Sequence, residues 1–465
     1  MPPSFGTSGL RGLVTELTDE LVSDYVHAFL STLCDCNTIY VARDLRPSSP
    51  HIARTICLVA DSAGVDVVDC GAIGTPALAL SAMTAGAAAI MVTGSHIPAD
   101  RNGLKFYRPE GEISKTDEAE ISKAYAARTR YEGAAGSYTV NTDAELFYTR
   151  RYIRAFGNSA LSGLRLGVYR HSSVARDTME TILKALGAKI IPLAHSDIFI
   201  PVDTEAVDIQ TRTQLTKWCR DHALDAVVST DGDADRPMLT DATGKVVLGD
   251  VLGVLTARVL KAKAVVTPVS SNDMVRRLSD FDAVHLSRIG SPFVIAGMDA
   301  IHHDHPNVVG FEPNGGFLLG FEALIKGPLP PLITRDSMLP IIAPLYAAKS
   351  SKQSLSQLVA DLPPCFTAAD RIQNINRTKA VTFLSRLVEK NPERTAFFRP
   401  FGQIESIDLT DGFRANLATG DVIHLRPSGN APEFRIYTQS DSETRAQEVM
   451  AQVKNAVTPH ITNSP

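Results

Sequence analysis

Three aspartates at alternate positions, Asp231, Asp233 and Asp235, are separated by Gly232 and Ala234 and followed directly by Arg236. Small residues between the acids let the backbone curl so that the side chains converge on one hard cation, whose charge offsets their mutual repulsion. Three such ligands leave an octahedral ion such as Mg²⁺ partly open, and a phosphate oxygen could complete its shell. A solvated acidic turn or a structural calcium loop would share the pattern. No EF-hand run ending in Glu follows, however, and the adjacent arginine suits phosphate better than calcium storage.

Four other clusters carry chemical groups, and two of them follow an apolar run directly. Thr93-Gly94-Ser95-His96-Ile97-Pro98 comes after Ala89–Val92 and offers Ser95 as a nucleophile on an exposed turn, although an ordinary Ser/Gly turn reads the same way. The nucleophile-elbow pattern G-x-S-x-G fails at Ile97, which argues against a serine hydrolase. Downstream, Asn102–Phe106 presents Lys105 to the same neighbourhood. The run 426–432 offers Arg426, Ser428, Gly429 and Asn430 as an anion nest, or simply as a hairpin turn. Phe311–Gly316, after the run Asn307–Gly310, offers Glu312 and Asn314 to neighbouring hydroxyls of a polyol, or a Gly-rich turn with an incidental acid. Near the amino end, Arg11 lies in the Gly-rich stretch 6–12, which lacks the lysine and spacing of a P-loop.

These clusters need a scaffold, and the chain alternates short apolar runs with helical patterns. The runs at 39–42, 65–68, 89–92, 166–169, 189–191, 226–228, 264–266 and 307–310 predict βα alternation with mainly parallel sheets. After Pro363-Pro364 the texture changes: 421–426 and 434–437 predict a hairpin, and 442–457 a helix. The expected architecture is α/β, with three related mixed or parallel-sheet units at 1–145, 146–250 and 251–365, and a C-terminal α+β module at 366–465. No sequence repeat is evident. With 465 residues, a net charge of −5 and no basic block, nucleic acid is excluded as the main partner. Six cysteines without metal spacing, no leader-like start and no long apolar stretch predict a cytoplasmic protein with no membrane partner.

Taken in order, GTSGLRG at 6–12, TGSHIP at 93–98, DGDADR at 231–236, FEPNGG at 311–316 and RPSGNAPE at 426–433 resemble the α-D-phosphohexomutase superfamily, of the mannose/glucose type. The resemblance spans nearly the whole chain and implies four domains around a central active-site cleft. It implies reversible transfer of phosphate between C1 and C6 of a hexose, mannose preferred and glucose possible, through a phosphoserine and a hexose 1,6-bisphosphate that also acts as activator. A phosphoglucosamine mutase, a metal-dependent sugar phosphatase and a sugar-phosphate-binding pseudoenzyme are the alternatives. On this resemblance Ser95 is the phosphorylated residue, and Asp231, Asp233, Asp235 and the phosphoserine hold one Mg²⁺. Arg11, His96, Lys105 and Arg236 surround the transferring phosphate. Glu312 and Asn314 meet the sugar, and Arg426, Ser428, Gly429 and Asn430, with Arg435, bind the rest of the substrate. A monomer or homodimer is expected. Departures from the usual pattern are Gly94, Ile97, Asn314, and Ser291 where many relatives carry histidine.

Overall fold

The computed structural model describes residues 3–6, 8–33, 36–134, 136–428 and 433–462. The apolar runs become strands, and Ala88–Val92, Ala226–Thr230 and Ala264–Pro268 are buried along their whole length. A strand covered on both faces carries continuous small and β-branched residues rather than an alternating pattern.

Three sheets share one plan. In the first, Thr38–Arg43 lies between the parallel strands Asp66–Ala72 and Ala88–Val92, and Arg101–Arg108 then runs antiparallel beside Ala88–Val92. In the second, Arg165–His171 lies between Lys189–His195 and Ala226–Thr230, with Pro237–Leu239 antiparallel at the edge. In the third, Ala264–Pro268 lies between Ala283–Ser287 and Val308–Phe311, and Phe317–Leu319 then runs antiparallel. The chain leaving the third strand of each unit must therefore reverse without a crossover helix. Those reversals are residues 93–100, 231–236 and 312–316, so the serine, aspartate and glutamate clusters occupy one topological position in three units. Each reversal contains a left-handed residue, Ser95, Ala234 or Gly315.

The first sheet is extended by Leu10–Leu13, which pairs with Arg101–Arg108 and sets Arg11 opposite Gly103. One continuous apolar cluster runs through all three units, from Ala42 and Met91 through Leu166 and Val228 to Phe311 and Leu345. The C-terminal module is an antiparallel sheet whose strands run in the order Phe366–Gln373, Glu433–Ser440, Val422–Pro427, Phe413–Leu417 and Ile404–Asp408. It has a core of its own, including Phe383, Phe413, Phe434 and Val453, closed by the helix Glu443–Ile461.

Side-chain contacts between the third unit and this module are polar. Gln439 donates to the Ser271 carbonyl at 2.9 Å, Arg414 pairs with Asp273, and the Ile289 N–H donates to Asp411 Oδ2 at 3.0 Å. A polar joint between separate cores exposes little apolar surface when it moves. Cys36, Cys57, Cys70 and Cys219 are buried free thiols and Cys365 is half-buried, while Cys34 lies outside the described residues. Among the described residues no helix is long and apolar enough to cross a membrane.

Candidate active site

Ser95 sits at the carboxyl end of the strand Ala88–Val92 with φ of 54°, a conformation few non-glycine residues adopt. Its surroundings impose it. The Ser95 N–H donates to Thr93 Oγ1 at 2.7 Å, and the buried Arg46 guanidinium donates to the carbonyls of Ser95, Ile97, Pro98 and Arg101 at 2.6–2.9 Å. Arg46 is in turn paired with Asp44 at 3.1 Å and stacked on Phe199, its guanidinium carbon 4.1 Å from the ring centroid. A side chain on Gly94 would meet that guanidinium at 2.6 Å. Glycine at 94 therefore makes room for the arginine that shapes the loop. Arg46→Met leaves the Asp44 carboxylate buried without its cation, a change that costs about 3 kcal/mol or more. Denaturant unfolding of the variant is expected to show a loss of that size, together with a mobile Ser95 loop.

Asp231, Asp233 and Asp235 are fully buried, and each offers a carboxylate oxygen within 4.8 Å of the others. Asp231 Oδ2 accepts the Ser95 hydroxyl at 2.5 Å. Asp233 Oδ2 accepts from Lys105 at 2.6 Å and Thr75 at 2.7 Å, and Asp235 Oδ2 accepts from Lys105 at 2.6 Å and pairs with Arg335 at 2.8 Å. The second oxygens, Asp233 Oδ1 and Asp235 Oδ1, are buried with no hydrogen-bond partner. Buried carboxylate oxygens without donors are costly, and a cation is what relieves them. Burial and the two neighbouring carboxylates push Asp231 well above the usual carboxylate range. Against the penalty of burial, Lys105 holds Asp233 below that range. The donor set, three hard oxygens backed by fixed cations, fits a divalent metal.

Arginines crowd the same spot. Arg11 is pushed down to about 10 by burial and by Arg236, and Arg335 adds to the repulsion. Arg236 Nε is buried without an acceptor, and its Nη1 donates to His96 Nδ1 at 3.0 Å. Mutually repelling guanidiniums with an unused donor define a place for an anion. A guanidinium can only donate, so His96 Nδ1 accepts and its proton lies on Nε2. Burial, Arg236 and Arg11 drive the His96 pKa far down and keep the ring neutral. His96 is thus a polar neighbour of Ser95 rather than a cation. Its Nδ1 is 3.4 Å from Ser95 Oγ.

In the third unit Glu312 is buried beside Arg335 Nη1 at 3.4 Å, while Asn314 Oδ1 accepts the Gly316 N–H at 3.0 Å. Ser291 is buried and donates to Glu112 Oε2 at 2.6 Å, so it serves the joint with the first unit. In the last module Arg426 and Arg435 face each other across adjacent strands, an unfavourable like-charge pairing unless an anion lies between. Arg426 pairs with Asp411 at 3.0 Å, and Arg435 is near enough to His96 to help lower its pKa. Ser428 is buried at the end of its strand, whereas Gly429 and Asn430 lie outside the described residues.

Sequence reasoning missed Arg335. It lies on Leu332–Asp336 and joins Asp235, Glu312 and, at 3.2 Å, the Ser8 hydroxyl. It therefore ties the metal loop to the sugar loop and the amino-terminal loop. Beside it, Ser337 donates to the Ala234 carbonyl at 2.7 Å, fixing the left-handed turn between the aspartates.

The four domain models described as phosphoglucomutase/phosphomannomutase domains I, II and III (alpha/beta/alpha) and C-terminal domain match residues 2–132, 150–244, 248–366 and 369–456. The chain belongs to the phosphoglucomutase/phosphomannomutase family. It is thus an isomerase of the phosphohexomutase type. It is 44% identical to a phosphomannomutase of Sinorhizobium fredii over 97% of this chain and 98% of that one. It is 41% identical to one of Salmonella muenchen over 97% and 94%. Phosphoglucosamine mutases are more distant, at 25–29% identity. The solved structure of a phosphoglucomutase/phosphomannomutase family protein from Burkholderia thailandensis shares the fold with a TM-score of 0.77 at 19% identity, over 98% of this chain and 97% of that one. The four-part α/β architecture expected from the sequence is the one found.

Proposed function

We propose that this phosphohexomutase moves a phosphoryl group between the C1 and C6 oxygens of a hexose by way of Ser95, and that it prefers mannose phosphates to glucose phosphates. The observation that carries the reading is the Ser95 hydroxyl, 2.5 Å from Asp231 Oδ2 on a rigidly held turn, beside a buried arginine with an unused donor. Asp231, Asp233 and Asp235, with phosphorylated Ser95, would hold Mg²⁺, which supplies positive charge against the phosphoryl oxygens when bound.

The chain's own residues do the positioning. Arg11 and Arg236 donate to non-bridging phosphate oxygens, where their charge counts most because the site is buried. Asp233 and Asp235 keep Lys105 close to those oxygens. Glu312 and Asn314 orient the sugar hydroxyls, while Arg426, Arg435, Ser428, Gly429 and Asn430 hold the phosphate that is not in transit. As the bond from phosphorus to Ser95 Oγ breaks, the sugar oxygen bonds to phosphorus and gives up its proton while Ser95 Oγ takes one up, giving hexose 1,6-bisphosphate and free Ser95. That bisphosphate turns over in the cleft, its other phosphate returns to Ser95, and the product is the isomeric monophosphate. The same compound, added from outside, phosphorylates Ser95 and acts as activator.

Mannose preference is supported by the 41–44% identity to phosphomannomutases over nearly the full length. Turnover of mannose, glucose and glucosamine 1-phosphates by one preparation tests it. The expected order of kcat/KM puts mannose 1-phosphate first; glucosamine 1-phosphate in first place would overturn the preference.

A further inference from the structure

The connection from the strand Lys189–His195 to the helix Ile209–His222, residues 196–208, has no regular structure. A connection of that length inside a compact unit is uncommon and is usually functional. This one is fastened to three parts of the site. Phe199 is buried under the Arg46 guanidinium and against Gly232 of the aspartate loop. The Ile200 N–H donates to Ser172 Oγ at 2.7 Å, and Thr204 Oγ1 donates to the Asn314 carbonyl at 3.1 Å. The last bond sets the residue after Thr204 beside the sugar loop.

That residue is Glu205. Its carboxylate makes no hydrogen bond or ion pair among the described residues, and it is exposed. Yet it is coupled electrostatically to Asp203 and Arg236 of its own unit, Glu312 of the third unit, and Arg435 and Tyr437 of the last. An exposed acid with charged groups from three units around it lies where those units meet.

The polar side chains of the sugar loop are already engaged. Glu312 is beside Arg335, and Asn314 Oδ1 is taken by Gly316. Glu205 offers two lone-pair-bearing oxygens with no hydrogen-bond partner among the described residues. A carboxylate whose main chain is anchored next to a polyol accepts hydroxyl hydrogens and discriminates between their orientations.

We infer that the 196–208 connection is a further substrate-binding element and that Glu205 accepts hydrogen bonds from sugar hydroxyls, taking part in the choice of sugar. This rests on the sugar-phosphate reading above.

The test compares wild type, Glu205→Gln and Glu205→Ala on mannose 1-phosphate and on its 2-, 3- and 4-deoxy derivatives, with calorimetric binding of mannose 6-phosphate to the same proteins. The expected result is a KM raised roughly tenfold or more in Glu205→Ala and less in Glu205→Gln, with kcat changed less than KM. For at least one deoxy sugar, the penalty seen in wild type disappears in Glu205→Ala, since the lost hydroxyl and the lost acceptor are partners. An unchanged KM and calorimetric affinity, or an equal penalty for every deoxy sugar in wild type and variant, overturns the inference. Absence of hexose phosphate turnover in wild type would instead overturn the functional reading, and the calorimetric comparison would still decide the role of Glu205. An exposed side chain without partners leaves stability nearly unchanged when replaced, so unfolding midpoints check that both variants are folded.

Discussion

Ser95→Ala is expected to abolish phosphate transfer and to leave the fold in place. The substitution removes one oxygen, the hydroxyl 2.5 Å from Asp231 Oδ2. The structural cost is one hydrogen bond, about 1 kcal/mol, because the loop is shaped by Arg46 and Thr93 rather than by the serine side chain. The catalytic cost is the covalent route itself, and turnover is expected to fall by on the order of 10⁴-fold or more even with bisphosphate activator supplied. Calorimetry should still show sugar phosphate binding, since the arginines and Glu312 are untouched. A variant with wild-type turnover would rule out the serine-borne mechanism.

Asp231→Asn trades activity for stability. The three carboxylates repel one another at full burial, and Asp231 is the one pushed highest, by burial first and then by Asp233 and Asp235. Replacing it with the neutral isostere removes that repulsion, so the cation-free protein is expected to unfold at the same temperature as wild type or higher. The same change removes one of the three carboxylates proposed to hold the metal. Affinity for Mg²⁺ is expected to fall roughly 100-fold, and turnover at saturating sugar phosphate by on the order of 10³-fold. Thermal unfolding with and without Mg²⁺ separates the two effects: wild type gains stability from the ion, and the variant gains little. A variant that is destabilised without metal yet binds it normally would contradict the assignment of the triad.

Local chemistry is legible in this chain where a loop carries its own ligands. The aspartates, Ser95 and Glu312 stand out by residue type and spacing because each lies in a short turn after an apolar run, whereas Arg426, on the strand Val422–Pro427, stands out only through the Pro-Ser-Gly-Asn run that follows it. The strands themselves were legible for the same reason: buried parallel strands are continuous apolar runs. What local sequence could not show is how one unit supports another. Arg46 is 49 residues from Ser95, and its only signal is Asp44 two positions earlier. Arg335 looks like an ordinary strand residue in Leu-Ile-Thr-Arg-Asp, and its partners Asp235, Glu312, Ser8 and Glu112 come from four other stretches. Sequence groups His96 with the basic positions around the phosphate without fixing its role, and only the fold shows that burial next to Arg236 and Arg11 drives its pKa down. The common position of the three reversals is also hidden, since it depends on strand order rather than on residue identity.

The central claim is that Ser95 carries the phosphoryl group between two positions of the sugar. It is tested most directly by incubating the protein with Mg²⁺ and hexose 1,6-bisphosphate bearing labelled phosphate, then following the label by mass spectrometry of the peptide containing residue 95. The account predicts label on Ser95, and its transfer to added mannose 1-phosphate at the rate of overall turnover. Label appearing on another residue, or isomerisation proceeding with Ser95 unlabelled throughout, would contradict it.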